Sequence, residues 1–236
     1  MSAASCLAVV PARGGSKRIP GKNLRMLAGK PLLAHTVEAA LLSGVFDRVV
    51  VTTDDPGIAA VAREYGADVP FVRDERLSDD YVPVSAATVD ALERVDSLGE
   101  AYGLVCQLMP NCPLRTAGDI VDSHEQFSAT DAPSQVSVVR YGWQNPWWAM
   151  RRDDDHVLAP LFEDALSARS QDLPELYCPT GAVWWAQADA LRLAGSYYMA
   201  GQTGWEIPWE RGVDVDTEDD WLVVEVLMAM AERRQR

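Results

Sequence analysis

The sequence is poor in cysteine and holds no long apolar run. Its cysteines, Cys6, Cys106, Cys112 and Cys178, include no C-x-x-C pair, which argues against a zinc site and favours reduced, partly buried thiols. No apolar stretch reaches membrane-spanning length, and the first residues lack the basic and apolar regions of a secretory signal. We therefore expect a cytoplasmic protein with no membrane segment.

Positive charge is also scarce. The 236 residues include 21 Lys and Arg against 35 Asp and Glu, a formal net charge of −14. This balance argues against a nucleic-acid partner, because phosphate backbones reward clustered cations. The first acidic residue, however, is Glu38, and the basic residues that precede it are Arg13, Lys17, Arg18, Lys22, Arg25 and Lys30. A cationic head on an acidic chain predicts a focused site for a small anion.

Apolar runs and helical periodicities alternate along most of the chain. The runs predict strands at residues 6–11, 48–53, 69–72, 104–109, 135–140, 181–186 and 213–215. The periodicities predict helices at residues 31–43, 55–65, 85–98 (with Ser85 as N-cap), 116–127 and 218–233. This alternation indicates a single α/β domain over residues 1–236 with a doubly wound, mostly parallel sheet. Such sheets bind ligands at the carboxyl ends of their strands.

The alternation breaks between residues 141 and 179. This segment carries Trp143, Trp147 and Trp148 near a charged turn, and it predicts an inserted hairpin or lobe that is partly helical at residues 165–171. Exposed tryptophans would form a partner surface, most simply for a second subunit, whereas buried ones would form a local core. Both interpretations stay open, and the first makes the segment a dimerisation lobe.

A glycine-rich basic loop, residues 12–23, follows the first predicted strand. Gly14 and Gly15 let backbone N–H groups approach phosphate oxygens, and Arg13, Lys17 and Lys22 can surround a triphosphate and neutralise a leaving pyrophosphate. The loop matches neither G-x-x-x-x-G-K-[ST] nor G-x-G-x-x-G. The alternative is a flexible basic loop without a ligand, but three cations placed directly after a buried strand favour phosphate binding.

Two carboxylates alternate with valines near the C-terminus, in Val213-Asp214-Val215-Asp216. In a strand, residues two apart face the same side, so Asp214 and Asp216 could share one hard cation. The alternative is a solvated acidic turn in which Asp216 or Thr217 caps the following helix. A second pair, Asp54 and Asp55, is interpreted as helix-capping rather than metal-binding.

Taken together, these segments resemble the CMP-sialic acid synthetase family, whose members activate N-acetylneuraminate, legionaminate, pseudaminate and, more distantly, the eight-carbon sugar acid KDO. The resemblance covers nearly the whole chain in order. It lies in residues 12–17, 22–23, 46–47, 51–55, 77–80, 113–115, 169–174, 179–182 and 213–217. It implies a Rossmann-like nucleotidyltransferase fold, a homodimer, and transfer of CMP from CTP to an acidic acceptor, most simply a nonulosonic 2-keto sugar acid.

The resemblance also implies roles for individual residues. Arg13, Lys17 and Lys22 would be catalytic, and Mg²⁺ would bind Asp214 and Asp216. The nucleotide-binding residues would be Ala12, Arg13, Gly14, Gly15, Ser16, Lys22, Asn23, Ser85 and Asn111. The residues binding the acceptor would be Met109, Arg115, Arg169, Gln171, Thr180 and Trp184. Surface or structural ion pairs are the alternative for the two arginines, and a core position is the alternative for Trp184.

The chain departs from the family at the acceptor. Where the family usually has Leu-Gln-Pro-Thr-Ser-Pro-Leu-Arg, this chain has Met109 in place of Gln, Asn111 in place of Thr and Cys112 in place of Ser. Thr180 stands where sialate-activating members often have Asn. The nucleotide-binding motifs match the family, whereas the acceptor-binding motifs do not match a standard sialate enzyme. This difference favours a modified nonulosonic acid or a phosphonate as the acceptor. The rival functions are a uridylyl or guanylyl transferase and a non-catalytic nucleotide-binding protein. His35, His124 and His156 lie outside the motifs, and no general base stands out.

Overall fold

The computed structural model describes residues 5–79, 81–99 and 101–235. The strands are β1 Cys6–Pro11, β2 Met26–Leu27, β3 Lys30–Pro31, β4 Arg48–Thr52, β5 Leu104–Gln107, β6 Ser134–Arg140, β7 Met150–Arg152, β8 Leu158–Pro160, β9 Tyr177–Gln187 and β10 Thr203–Glu206. The helices are α1 Leu32–Ser43, α2 Pro56–Glu64, α3 Val84–Ser97, α4 Ala117–Ser128, α5 Ala188–Ala194 and α6 Glu218–Gln235.

A six-stranded sheet in the order β10-β6-β9-β5-β1-β4 forms the centre of the fold. Strand β1 pairs in parallel with β4 and β5, and β10 pairs in parallel with β6. Strand β9 runs antiparallel to β5 and β6 and joins the two parallel groups. The predicted α/β fold with a mostly parallel sheet is confirmed, and the carboxyl ends of β1, β4 and β5 lie at one edge of it.

The alternating side chains of β1 divide the core into two layers, because successive residues of a strand face opposite sides of a sheet. Cys6, Ala8 and Val10 pack into the layer that contains α1, α2 and α4. Leu7 and Val9 pack into the layer that contains α3 and α5. Helices therefore cover both faces of the sheet, which explains why its central strands are almost wholly apolar.

Two predicted strands are wrong. Residues 69–72 form no ladder, and the chain makes only a bridge between Val50 and Asp68 before it turns away. Residues 213–215 lie outside the sheet, and the N–H of Val215 donates to the carbonyl of Asn111 at 2.8 Å. Val69 and Val215 are both buried, so each apolar pattern reports burial against the core rather than strand pairing.

Short elements account for most of the other differences. The β2–β3 hairpin, α5 and the edge strand β10 were not predicted, since each is brief and β10 contains Gly204, which weakens a strand pattern. Helix α3 begins at Val84 after Pro83, and Ser85 is not its cap. Helix α4 does begin as its sequence indicates, because Thr116 and Asp119 form a reciprocal capping box.

A third apolar cluster fastens the C-terminal helix to the basic loop. It contains Ile19, Leu27 and Leu32 from the N-terminal segment and Val215, Trp221 and Val224 from the C-terminal segment. Arg25 adds a polar contact, with its guanidinium 4.1 Å from the ring centroid of Trp221. The two ends of the chain are therefore one structural unit. Among the described helices none has the length and apolar character needed to cross a membrane.

The inserted segment forms a small lobe at residues 141–176, since β9 already begins at Tyr177. Its centre is the β7–β8 hairpin, and its short helical turns are 3-10 turns. The tryptophans differ from one another. Trp147 packs edge-on against Phe162 and Trp148 donates to the carbonyl of Ala165, so both have partners within the lobe although Trp148 is 38% exposed, whereas Trp143 is 85% exposed.

Candidate active site

A cleft of about 480 Å³ lies at the carboxyl ends of β1 and β5. The loop of residues 12–23, called the basic loop below, forms one wall, residues 109–111 form the floor, and residues 73–79 and 82–87 form the opposite wall. The predicted site residues that line it are Arg13, Ser16, Lys17, Lys22, Asn23, Met109, Asn111 and Asp216. The structure therefore brings together most of the nucleotide-binding prediction, from three distant parts of the chain.

The cleft is basic although the protein is acidic. Its basic lining residues are Arg13, Lys17, Arg18, Lys22 and Arg73, and its acidic ones are Asp79 and Asp216. The two acidic side chains therefore neutralise only part of the positive charge of the five basic side chains in the cleft. A cleft of this kind concentrates polyanionic ligands such as nucleoside triphosphates.

Hydrogen bonds close the basic loop on itself and join it to the segment that follows β4. The amide of Asn23, which is 6% exposed, donates to the carbonyl of Arg13 at 3.0 Å. Asp55 caps α2 as predicted, by accepting from Ile58, whereas the predicted capping role of Asp54 is wrong, because its carboxylate accepts from the N–H of Gly14 at 3.1 Å. A Cβ on Gly14 would lie 2.9 Å from Asp55, so the close approach of loop and carboxylate requires glycine there.

Arg73 is a cleft residue that the sequence analysis missed. It is 4% exposed, and it donates to the hydroxyl of Ser78 and to Asp54, while Arg13 donates to the carbonyl of Ser78. Burial lowers the pKa of Arg73, and Asp54 opposes that shift. Burial alone would raise the pKa of Asp54, but hydrogen bonds from Gly14 and Arg73 outweigh it, and the net pKa falls. Arg73 stands alone in a polar loop, so no motif pointed to it.

Asp216 lies in the cleft between basic side chains. Lys22 Nζ is 3.2 Å from Asp216 Oδ1, and Arg18 contacts the other oxygen at 3.0 Å. Lys22 also donates to the carbonyl of Val215 at 2.7 Å, and the amide of Asn111 donates to Asp216 at 3.4 Å. The basic loop and the acidic segment are therefore joined inside the cleft.

Asp214 has a different environment from Asp216, which corrects the expectation of two equivalent carboxylates on one strand face. Its carboxylate accepts from the N–H of Gly181 at 3.2 Å and from the buried thiol of Cys112. Burial raises the pKa of Asp214, and the charge of Asp216 raises it further. Within the described residues no salt bridge reaches Asp214, and the residue is absent from the cleft lining.

The two carboxylates nevertheless fit a hard divalent cation. Both offer oxygen donors, and the pKa of Asp214 is raised mainly by burial and further by the charge of Asp216, two effects that a nearby cation would oppose. No group of three or more metal-binding side chains occurs in the part of the chain that the structure describes. A cation here would therefore take its remaining ligands from phosphate and water, as Mg²⁺ commonly does.

Two predicted nucleotide contacts point elsewhere. The backbone N–H of Ala12 donates to the carbonyl of Thr52 and its side chain is buried in the core. Ser85 is 5% exposed and donates to the carbonyl of Gly195 at 2.9 Å. Gly15 is exposed and has open space around it, so it is the glycine of the pair whose backbone a phosphate can approach freely.

Three predicted acceptor contacts are structural. Arg115 is 3% exposed, and its guanidinium donates to the carbonyls of Ala182 and Met109 and to the hydroxyl of Thr36. Thr180 is 4% exposed and hydrogen-bonds to Ser137. Trp184 donates to the carbonyl of Thr180 and packs against Tyr197 and Tyr198. None of these three lines the cleft, and both terminal nitrogens of the Arg115 guanidinium already donate to protein oxygens.

The two remaining acceptor predictions lie on the lobe. Arg169 is exposed and forms an ion pair with Asp172 at 2.8 Å. Gln171 lines a second cleft, of about 610 Å³, between the lobe and the end of β10. Neither lines the basic cleft of the same chain.

The histidines occupy structural positions. His35 contacts the carbonyl of Leu27 at 2.9 Å, and His124 packs against Trp185 with ring centroids 4.9 Å apart. Burial lowers the pKa of both histidines. His156 lies in the hairpin turn of the lobe beside Arg152. None of the three lines the cleft.

The sequence and the fold match known proteins across the length of the chain. A family model described as "Cytidylyltransferase" matches residues 7–137. This chain belongs to the cytidylyltransferase family. Its relatives include the pseudaminic acid cytidylyltransferase of Campylobacter jejuni, 34% identical over 94% of this chain and 95% of the relative. The CMP-N,N'-diacetyllegionaminic acid synthase of Legionella pneumophila is 36% identical over 95% and 96%.

A solved structure supports the same fold assignment. The CMP:2-keto-3-deoxy-manno-octonic acid synthetase complexed with CTP matches with a TM-score of 0.72, covering 96% of this chain and 99% of the other. At 19% identity this likeness concerns the fold alone. A second cytidylyltransferase-type fold, a 4-diphosphocytidyl-2C-methyl-D-erythritol synthase, matches with a TM-score of 0.70 and 12% identity.

Proposed function

We propose that this cytidylyltransferase transfers CMP from CTP to a nonulosonic 2-keto sugar acid and releases pyrophosphate. The observation that carries the proposal is the convergence of Arg13, Lys17 and Lys22 with Asp216 in one basic cleft. The relatives named above support the acceptor class, because both match this chain over nearly its full length.

The reaction is an in-line displacement at the α-phosphorus of CTP. An acceptor hydroxyl oxygen, the anomeric one of the sugar acid, forms a bond to the α-phosphorus as the bond to the β-phosphate oxygen breaks. The hydroxyl proton passes to solvent, and pyrophosphate leaves with the electron pair. Arg13, Lys17 and Lys22 stabilise the charge that builds on the leaving group, so positioning and electrostatics supply most of the rate.

We assign the Mg²⁺ site to Asp214 and Asp216. When bound there, Mg²⁺ would neutralise charge on the α-phosphate. Asn111 orients Asp216 through its amide, and Cys112 and Gly181 hold Asp214. The side chains that this chain contributes thus set both carboxylates before the nucleotide arrives.

The acceptor end of the cleft is less polar than the family motif would make it. Met109 lines the cleft where the motif has glutamine, and its sulfur accepts a weak hydrogen bond from Gln107 at 3.7 Å. A thioether favours apolar groups of a ligand over hydroxyl groups. This substitution favours a deoxygenated or acylated nonulosonic acid over an unmodified sialic acid.

We further propose a homodimer that forms through the lobe. Exposed apolar side chains concentrate there, among them Trp143, Val157, Leu158 and Phe162. Because Arg169 lies outside the cleft of its own chain, an acceptor role for it would require a second subunit. Light scattering tests this proposal, and a monomer at micromolar-scale concentration would contradict it.

Since CTP is a cytoplasmic nucleotide, we place the enzyme in the cytoplasm.

Pyrophosphate release tests the proposed reaction. The assay contains CTP, Mg²⁺ and one acid at a time from a panel of N-acetylneuraminate, its non-acetylated analogue, legionaminate, pseudaminate, KDO and small phosphonates, with UTP, GTP and ATP as nucleotide controls. We expect release with CTP and at least one nonulosonic acid. Release only with a phosphonate would overturn the acceptor, and release only with another nucleotide would overturn the cytidylyl assignment.

A further inference from the structure

Both oxygens of Asp216 accept contacts from basic side chains. Lys22 and Asn111 contact Oδ1 at 3.2 and 3.4 Å, and Arg18 contacts Oδ2 at 3.0 Å. A divalent cation that uses these oxygens therefore has to replace at least one basic side chain, or share the carboxylate with it.

The two basic side chains differ in how firmly they are held. The side chain of Lys22 is 15% exposed and has a second acceptor, the carbonyl of Val215. The side chain of Arg18 is 65% exposed, and among the described residues its one ion pair is with Asp216. Ordering a long exposed side chain costs conformational entropy, so an exposed pair of this type is worth little and is easily exchanged.

We propose that Arg18 is a displaceable counter-cation for Asp216, which holds the carboxylate in the cleft and gives it up to the divalent cation. The proposal rests on the metal site of the proposed function and adds a residue that the CMP-transfer motif does not include. Arg18 is thus a positioning residue, because it acts on the metal ligand rather than on the reacting atoms.

The same exchange links the metal to the nucleotide. Arg18 lines the basic cleft, so once released from Asp216 it lies within the region of the triphosphate, where its charge favours phosphate. Divalent cation and CTP then each favour binding of the other, beyond the direct contact between them, since coupling between two ligands is reciprocal.

Direct binding of Mn²⁺ to the full chain tests the role of Arg18 without catalysis. Free Mn²⁺ is measured by electron paramagnetic resonance in titrations without nucleotide, on the wild type, Arg18→Gln, Arg18→Lys and Asp216→Asn. We expect Arg18→Gln to bind Mn²⁺ about fivefold more tightly, because a competing and repelling charge is gone. Arg18→Lys keeps the charge and should stay close to the wild type, and Asp216→Asn should lose most of the binding.

Arg25→Gln is the matched control. It removes the same charge from the same N-terminal stretch, but Arg25 contacts Glu218 at 2.6 and 2.8 Å and stacks on Trp221, with no contact to Asp216. Its Mn²⁺ affinity should change less than twofold, and thermal melts establish that every variant is folded.

The outcomes separate this inference from the proposed function. Wild-type binding that Asp216→Asn removes, with Arg18→Gln no tighter than Arg25→Gln, would overturn the role of Arg18 and leave the metal site standing. Binding that Asp216→Asn leaves unchanged would overturn the metal site and this inference with it, and no binding by the wild type would overturn a metal site that forms before the nucleotide binds, on which this inference rests.

Discussion

The basic loop at residues 12–23 and the lobe at residues 141–176 are built in opposite ways. The loop is tied to the body by an apolar cluster around Ile19 and by the contact of Gly14 with Asp54, the amide of Asn23 closes it on itself, and its cations converge on one cleft. In the lobe, Trp147 and Trp148 contact residues of the lobe itself, and Trp143 is exposed to solvent.

This difference shows what a short motif can encode. The residues of the loop act together because they are adjacent in sequence and are held by the body of the same chain. The predicted acceptor residues come from three separate segments, and their side chains lie in the core, on the lobe or in the cleft according to packing. Five variants, ordered from the largest expected effect to the smallest, test this contrast.

Arg115 gives the first test, because the structure makes it a core residue rather than an acceptor contact. Arg115→Met leaves the buried carbonyls of Ala182 and Met109 and the hydroxyl of Thr36 without their donor. We expect the free energy of unfolding in urea to fall by about 3 kcal/mol. Arg169→Met, at an exposed position, should change it by less than about 0.5 kcal/mol. Equal losses in the two variants would contradict this assignment.

Lys22 tests the cleft itself. Lys22→Ala removes a cation that contacts Asp216 and lines the cleft in which we place the triphosphate. We expect kcat/KM for CTP to fall by about a hundredfold, the typical loss for one electrostatic contact to a developing charge. Lys30→Ala is the control, because Lys30 belongs to the same basic stretch but pairs with Glu38 outside the cleft. Similar losses in both variants would show that only general charge matters.

Asp214 tests whether function costs stability. Its pKa is raised in the folded protein from a reference of 3.8, so its favourable contribution is complete below about pH 4 and is lost as the pH rises through the folded pKa. We expect Asp214→Asn to raise the melting temperature at pH 7 by about 2–4 °C, with the gain shrinking toward pH 4, and to lower activity. A lower melting temperature at pH 7 would argue against a strained carboxylate.

Asp54 should affect stability in the opposite direction to Asp214 as the pH changes. Its pKa is lowered in the folded protein, so its contribution is present above the reference pKa and disappears as the pH falls through the folded value. Asp54→Asn should therefore destabilise at pH 7 and cost progressively less in acid. Melting curves of the two variants measured between pH 3 and pH 7 should diverge as the pH rises.

Trp143 gives the smallest expected change in the monomer. Trp143→Ser removes an 85% exposed ring and should change the free energy of unfolding by less than about 0.5 kcal/mol. If the lobe is the dimer surface, light scattering should detect weaker association. Leu193→Ser, at a 91% exposed leucine of α5 outside the lobe, is the matched control. Weaker association in the control alone would place the interface elsewhere.

The sequence by itself determined the fold class, the position of the basic loop and the family. Buried strands of a two-layered sheet are apolar throughout, and the glycines and cations of the loop are contiguous, so both signals are local. The cap at Asp55 and the start of a helix at residue 116 were predicted for the same reason, since both signals involve only neighbouring residues.

Only the tertiary structure decided which side chains share the cleft. Val215 and Val69 carry strand-like patterns because they are buried, yet neither joins the sheet. Arg73 lines the cleft although it lies in a loop that matches no motif. Arg115 lies in a recognisable motif, yet its guanidinium is enclosed by backbone carbonyls. Asp214 and Asp216 are two residues apart and have unlike environments. Burial and long-range contacts set the charge and direction of a side chain, and neither is written in its immediate neighbours.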